Sequence, residues 1–184
     1  MRTPEQAREF AALAHEQAGC LYGGEPYTIH LDAVVAVMKE VGITDPDILM
    51  VGYLHDIIED TPVTESDLRQ KGYPEDVIEG VALCTDEPGH PNRKSRKRAT
   101  YARVKEHLAT GTRGSIIGML AKWADRIANV RSCMDATDKI GLLAMYMNES
   151  EKFTKVYAPQ KDDSLEGVEV RVWYMKMVLA YCAL

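Results

Sequence analysis

Positive charge is in short supply in this sequence. Lys and Arg number 22 against 28 Asp and Glu, for a formal net charge of -6 and a pI near 5.4. General nucleic-acid binding, which leans on a basic surface, is not expected. Long apolar runs are missing too: none approaches the roughly 18 residues that span a bilayer. No apolar signal-peptide core follows Met1-Arg2-Thr3-Pro4-Glu5. A cytoplasmic protein with no membrane partner is expected. The four cysteines, Cys20, Cys84, Cys133 and Cys182, form no CxxC pair, so neither zinc-finger spacing nor a disulfide framework is indicated. They read as reduced thiols, mainly buried. Internal repeats, low-complexity segments and linkers are also lacking, so residues 1–184 are expected to form a single domain.

What is present is helical periodicity. Thr3-Pro4-Glu5-Gln6 is a capping-box start with Pro at the first helical position, and Phe10, Leu13 and Ala14 supply its apolar stripe as far as about Gln17. Gly19, Gly23, Gly24 and Pro26 mark a loop. A second helix begins near Thr28 or His30 and stops near Gly42. Asp45-Pro46 caps a third, which carries His55 and Asp56 and breaks at Thr61-Pro62. Thr64 and Pro74 open two more, 85–91 is a loop, and Arg93 to Leu108 follows with a basic start. Ile116 to about Cys133, Leu142 to Tyr157 and Leu165 to the C-terminus complete the chain. No period-two strand stands out. The expected fold is an all-α bundle of about eight to ten helices.

The chemistry concentrates in Leu54-His55-Asp56-Ile57-Ile58-Glu59-Asp60-Thr61. A helix brings residues three and four apart onto one face, which places Glu59 one turn beyond His55 and Asp60 one turn beyond Asp56. An unpaired buried charge costs several kcal/mol, so a group set among Ile48–Leu54, Ile57 and Ile58 needs a partner. Imidazole beside carboxylate suits a divalent cation. The plainer reading is a solvent-facing acidic helix end with His55 merely packed. His30 upstream and Asp125 downstream supply the remaining ligand types, and two imidazoles with two carboxylates leave open positions for water or substrate. His15 reads as a packing residue, His90 and His107 as surface residues.

The order H…HD…D, with the HDxxEDT continuation and Ala124-Asp125-Arg126-Ile127-Ala128-Asn129-Val130-Arg131, resembles the HD-domain metal-dependent phosphohydrolases. Within them it resembles the hydrolase domain of RelA/SpoT-type enzymes and the small alarmone hydrolases. Gly24-Glu25-Pro26-Tyr27-Thr28-Ile29-His30 and Val81-Ala82-Leu83-Cys84-Thr85-Asp86 support the match, which covers roughly Arg8 to Pro159. The resemblance implies hydrolysis of the 3′-diphosphate of guanosine tetra- or pentaphosphate, usually with Mn²⁺. It implies His30, His55, Asp56 and Asp125 as metal ligands and Glu59 and Asp60 as the acidic pair that orients water and handles protons.

Asn129, one turn beyond Asp125, matches a substrate-contacting Asn, with a helix–helix hydrogen bond as the competing role. Lys122 and Arg126 are placed to contact phosphate or to pair with acids. The basic start of the Arg93 helix joins backbone N–H groups to side-chain charge, and Lys94, Arg96 and Lys97 are the expected diphosphate contacts; a solvated face is the alternative. Family members carry a basic segment in the loop before GxPY, where this chain reads Ala18-Gly19-Cys20-Leu21-Tyr22-Gly23. Tyr22 is the residue available there to stack on a base. Two other readings remain open: action on another nucleotide's 2′- or 3′-phosphate, and a regulatory module whose metal is structural. The oligomeric state is not readable from the sequence.

Overall fold

The computed structural model describes residues 2–134, 137–158 and 170–184. Its chain order is α1 (Pro4–Gln17), β1 (Leu21–Tyr22), β2 (Glu25–Pro26), α2 (Thr28–Glu40), α3 (Pro46–Leu54), α4 (Ile57–Asp60), α5 (Glu65–Gln70), α6 (Glu75–Cys84), α7 (Arg93–Thr110), α8 (Arg113–Met134), a 3₁₀ turn (Thr137–Lys139), α9 (Ile140–Val156) and α10 (Val170–Cys182). The all-α expectation holds. Residues 165–169, expected to begin the last helix, lie outside the described residues.

Helix starts follow their caps. Thr3 and Gln6 form the capping box of α1, Asp45 accepts from the Asp47 and Ile48 N–H groups at α3, and Thr64 pairs with Asp67 at α5. Asn92, which the sequence reading passed over, caps α7 by accepting from Ser95 N–H at 2.9 Å. The buried stripe of α1 is Ala7, Ala11, Ala14 and His15, while Leu13 is left outside and Phe10 only half covered. Small side chains let α1 lie close on α3.

Besides Leu13, expected in the stripe of α1 and found exposed, two expectations need correction. The Gly23-Gly24 region is a two-residue antiparallel hairpin, with Tyr22 opposite Glu25. Both glycines sit at positive φ, 62° and 91°, as such a tight turn requires. The other correction is at His55-Asp56, where the helix is interrupted. Gly52 O, the acceptor an unbroken helix offers to the Asp56 N–H, stands 2.9 Å from His55 Nδ1. The imidazole has taken the carbonyl, and a new single turn, α4, starts after Asp56.

Helix α8 is the axis of the bundle and packs against α2, α3, α6, α7, α9 and α10. Its crossing with α6 is close because Gly118 faces Gly80, where an added Cβ would come within 2.7 Å of Gly80 O. Trp123 is fully buried, donates from Nε1 to Tyr157 O at 2.7 Å, and meets Phe153, Tyr174 and Tyr181 edge-on. That packing ties α9 and α10 to the helix that carries Asp125. Among the cysteines, Cys84 and Cys133 are buried, Cys20 is intermediate and Cys182 is exposed.

Candidate metal centre

Three elements converge. Helix α2 delivers His30, the break between α3 and α4 delivers His55 and Asp56, and α8 delivers Asp125. The Nε2 atoms of His30 and His55 lie 3.3 Å apart. Asp56 Oδ2 is 2.9 Å from His55 Nε2 and 3.6 Å from His30 Nε2. Asp125 Oδ1 is 3.4 Å from His30 Nε2 and 3.7 Å from His55 Nε2. Both histidines are buried, at 2% and 0% exposure.

A carbonyl only accepts, so the contact with Gly52 O puts the His55 proton on Nδ1 and turns the Nε2 lone pair toward the cluster. Two inward imidazole nitrogens facing two carboxylates form a donor set that fits a divalent cation, and His30, His55 and Asp56 together could hold one. Without the ion, protons fill that role. Burial opposes charge on His55, but Asp56 and Asp125 outweigh it and push its pKa up to about 10. Burial likewise opposes charge on His30, and hydrogen bonds with Asp125 and Asp56 raise its pKa. Asp56 is held well below the usual carboxylate range against its burial, chiefly by His55; for Asp125 the chief cause is Lys122.

An outer ring of partners holds these groups. Tyr27 OH donates to Asp56 Oδ2 at 2.6 Å. Asp125 accepts from Lys122 Nζ at 3.3 Å and from Asn129 Nδ2. The profile of the HD domain family matches residues 7–159. The chain belongs to the HD domain family. No curated protein matches it. Among solved structures, a metazoan ortholog of SpoT that hydrolyzes ppGpp aligns with 98% of this chain and 96% of its own, at a TM-score of 0.66 and 20% identity. The two therefore share a fold. Membership places the protein among metal-dependent phosphohydrolases as a class.

In this HD domain Glu59 and Asp60 stand at the exposed edge of the cluster. Glu59 Oε2 accepts from the Asp86 N–H at 3.0 Å. Burial raises the pKa of both carboxyls, and for Asp60 the nearby Asp56 charge adds to it. Acids that retain a proton more readily than usual are suited to proton transfer.

A cleft of about 110 Å³ opens beside Asp125, and four cations reach it: Arg93 and Lys97 from α7, Lys122 and Arg126 from α8. Ligand pockets ordinarily run from roughly 300 to 1,000 Å³, so this one is small. Asn129 also lines it. Of the α7 residues expected to bind phosphate, only Lys97 is in the cleft. Lys94 is exposed elsewhere, and Arg96 lies 3.4 Å from Asp86. The sequence reading undervalued Asp86, which is 8% exposed and links Glu59 to Lys97 (3.1 Å). It also did not select Arg93, part of the same basic helix start, or Tyr146 as contacts, though both line the cleft. Helical phase was the available signal for Arg93: it stands four residues before Lys97, on the same face.

Among the described residues no helix is long and apolar enough to cross a membrane.

Proposed function

We propose that this HD-domain protein hydrolyses a nucleotide phosphoester with a divalent ion, and that its substrate is guanosine tetra- or pentaphosphate, from which the 3′-diphosphate is released. The observation that carries the reading is the meeting of two buried Nε2 atoms, 3.3 Å apart, with Asp56 and Asp125 beside a cleft lined by four cations. His30, His55, Asp56 and Asp125 would hold the ion, with Mn²⁺ the expected metal. When bound, such an ion supplies a nucleophilic water near neutral pH and charge stabilisation at phosphorus.

The chain's own residues do the rest. Gly52 O keeps the His55 proton on Nδ1, so that Nε2 is free. Lys97 and Lys122, with Arg93 and Arg126, receive the diphosphate oxygens. Glu59, pinned by the Asp86 N–H, accepts a proton from the attacking water, and Asp60 returns one to the departing 3′-oxygen. Glu59 and Asp60 favour this reading over a regulatory module with a structural metal, because a purely structural site needs no second acidic pair.

A related substrate, another nucleotide bearing a 2′- or 3′-phosphate, is favoured by one feature: the hairpin segment 18–24 has no basic residue to hold a guanine. Incubation with Mn²⁺ and a nucleotide panel separates the two. Release of diphosphate from the tetraphosphate, absent in EDTA, is the expected result. Inertness toward it alongside cleavage of a 2′- or 3′-monophosphate selects the second substrate, and inertness toward the whole panel defeats the hydrolase reading.

A further inference from the structure

Metal-bound histidines are ordinarily oriented by a hydrogen bond to their second ring nitrogen. His55 has one, to Gly52 O. His30 does not: its Nδ1 is buried and has no hydrogen-bond partner among the described residues. Among the described residues, what is available to hold the plane of that ring is a packed aromatic neighbour.

The β1–β2 hairpin supplies it. The Tyr22 ring lies flat against the His30 imidazole, with centroids 4.7 Å apart and planes 19° from parallel. Tyr27 closes on the same imidazole edge-on, at 5.5 Å and 75°. The Tyr22 hydroxyl donates to Asn129 Oδ1 at 3.1 Å, and Asn129 Nδ2 donates onward to Asp125 Oδ1. Tyr22 thus touches one proposed ligand through its face and a second through a relay. Lys139 Nζ stands over the ring, 5.2 Å from its centroid, and is held by donating to Ser132 Oγ at 2.8 Å.

We propose that Tyr22 is a positioning residue of the metal centre, orienting His30 by stacking and Asp125 through Asn129, and is not a platform for the substrate's base. The ring face packed against the imidazole is not available to a base, and an ammonium stands over the ring as well. The Asn129 amide, whose oxygen serves Tyr22 and whose nitrogen serves Asp125, has one donor and one acceptor site engaged within the protein. The inference rests on the metal centre proposed above and replaces the base contact expected of Tyr22.

The test is Mn²⁺ affinity, measured by competition with a chromogenic chelator, set beside KM for guanosine tetraphosphate at saturating Mn²⁺. Tyr22→Leu fills the volume without ring or hydroxyl; Tyr22→Phe keeps the ring alone. Loss of outer-shell partners typically weakens metal binding about 10- to 100-fold. Tyr22→Leu is expected in that range, Tyr22→Phe between it and the unaltered protein, and KM is expected to change less than about twofold, the same change Tyr22→Phe would leave if it is the only variant that folds. Unchanged Mn²⁺ affinity in both variants overturns the inference, as does a KM rise of tenfold or more with affinity intact, the mark of a base platform. Protein with Tyr22 in place that takes up no Mn²⁺ overturns the metal centre itself; uptake unaffected by Tyr22→Leu overturns only the part given to Tyr22.

Discussion

At the scale of single residues, the two kinds of acid near the cluster separate by environment. Asp56 and Asp125 are held ionised by His55 and Lys122, whereas Glu59 and Asp60 are pushed toward their protonated forms. Asp125→Ala is therefore expected to abolish Mn²⁺ binding in equilibrium dialysis. Glu59→Gln is expected to keep the ion while kcat falls by about 10²- to 10⁴-fold, the range for a lost general base. A second residue-scale expectation concerns pH. In the ion-free protein His55 has a folded pKa of about 10, above its ordinary value near 6.5. A raised pKa stabilises the fold fully below the unfolded value, and that stabilisation is lost as pH rises through about 10. Thermal melts in EDTA should therefore show Tm falling between pH 6.5 and 10. With Mn²⁺ present the trend should weaken or reverse, because the ion requires unprotonated Nε2 atoms.

Among the elements, the crossing of α6 and α8 sets where Asp125 stands. Gly118 is two turns before Asp125 on α8, and the atoms nearest a Cβ added there include the backbone of Gly80, which has little room to yield. Gly118→Ala should cost about 1–3 kcal/mol. At the size of this chain that is a fall in Tm of roughly 2–4 °C per kcal/mol, readable by calorimetry. A weakened Mn²⁺ affinity should accompany it. The hairpin is the counterpart on the other side of the cluster: a two-residue glycine turn carries Tyr22 to His30, and Tyr27 follows directly to reach Asp56. Its Gly-Gly pair is a hairpin signal, but flanking strands of two residues give no alternation to see. The interruption between α3 and α4 was hidden for a different reason. Every residue from Ile48 to Leu54 is buried and apolar, as a continuous helix would be, and the carbonyl taken by His55 leaves no mark on that pattern.

For the whole molecule, a cluster of buried charges drawn from three distant segments makes folding and metal binding one linked equilibrium. An ion at 100 times its Kd adds about 2.7 kcal/mol of stability. Stripping it with EDTA at pH 7.5 should lower Tm by roughly 5–10 °C at this chain length, and re-addition of Mn²⁺ should restore it. A protein whose Tm ignores both EDTA and Mn²⁺ does not carry a metal in this site.

By itself the sequence determined the helical fold and the helix caps at Thr3, Asp45 and Thr64, because each is written in short-range spacing or in residue type, and it nominated His30, His55, Asp56 and Asp125, which the fold brings together. Tertiary structure alone decided which cations face the cluster. Lys94, Arg96 and Lys97 are neighbours in sequence, yet helical rotation and the Asp86 carboxylate leave only Lys97 in the cleft, joined there by Arg93. It also decided that Tyr22 stacks on His30 and donates to Asn129, which donates to Asp125, since the direction a ring faces depends on what packs against it from 107 residues away.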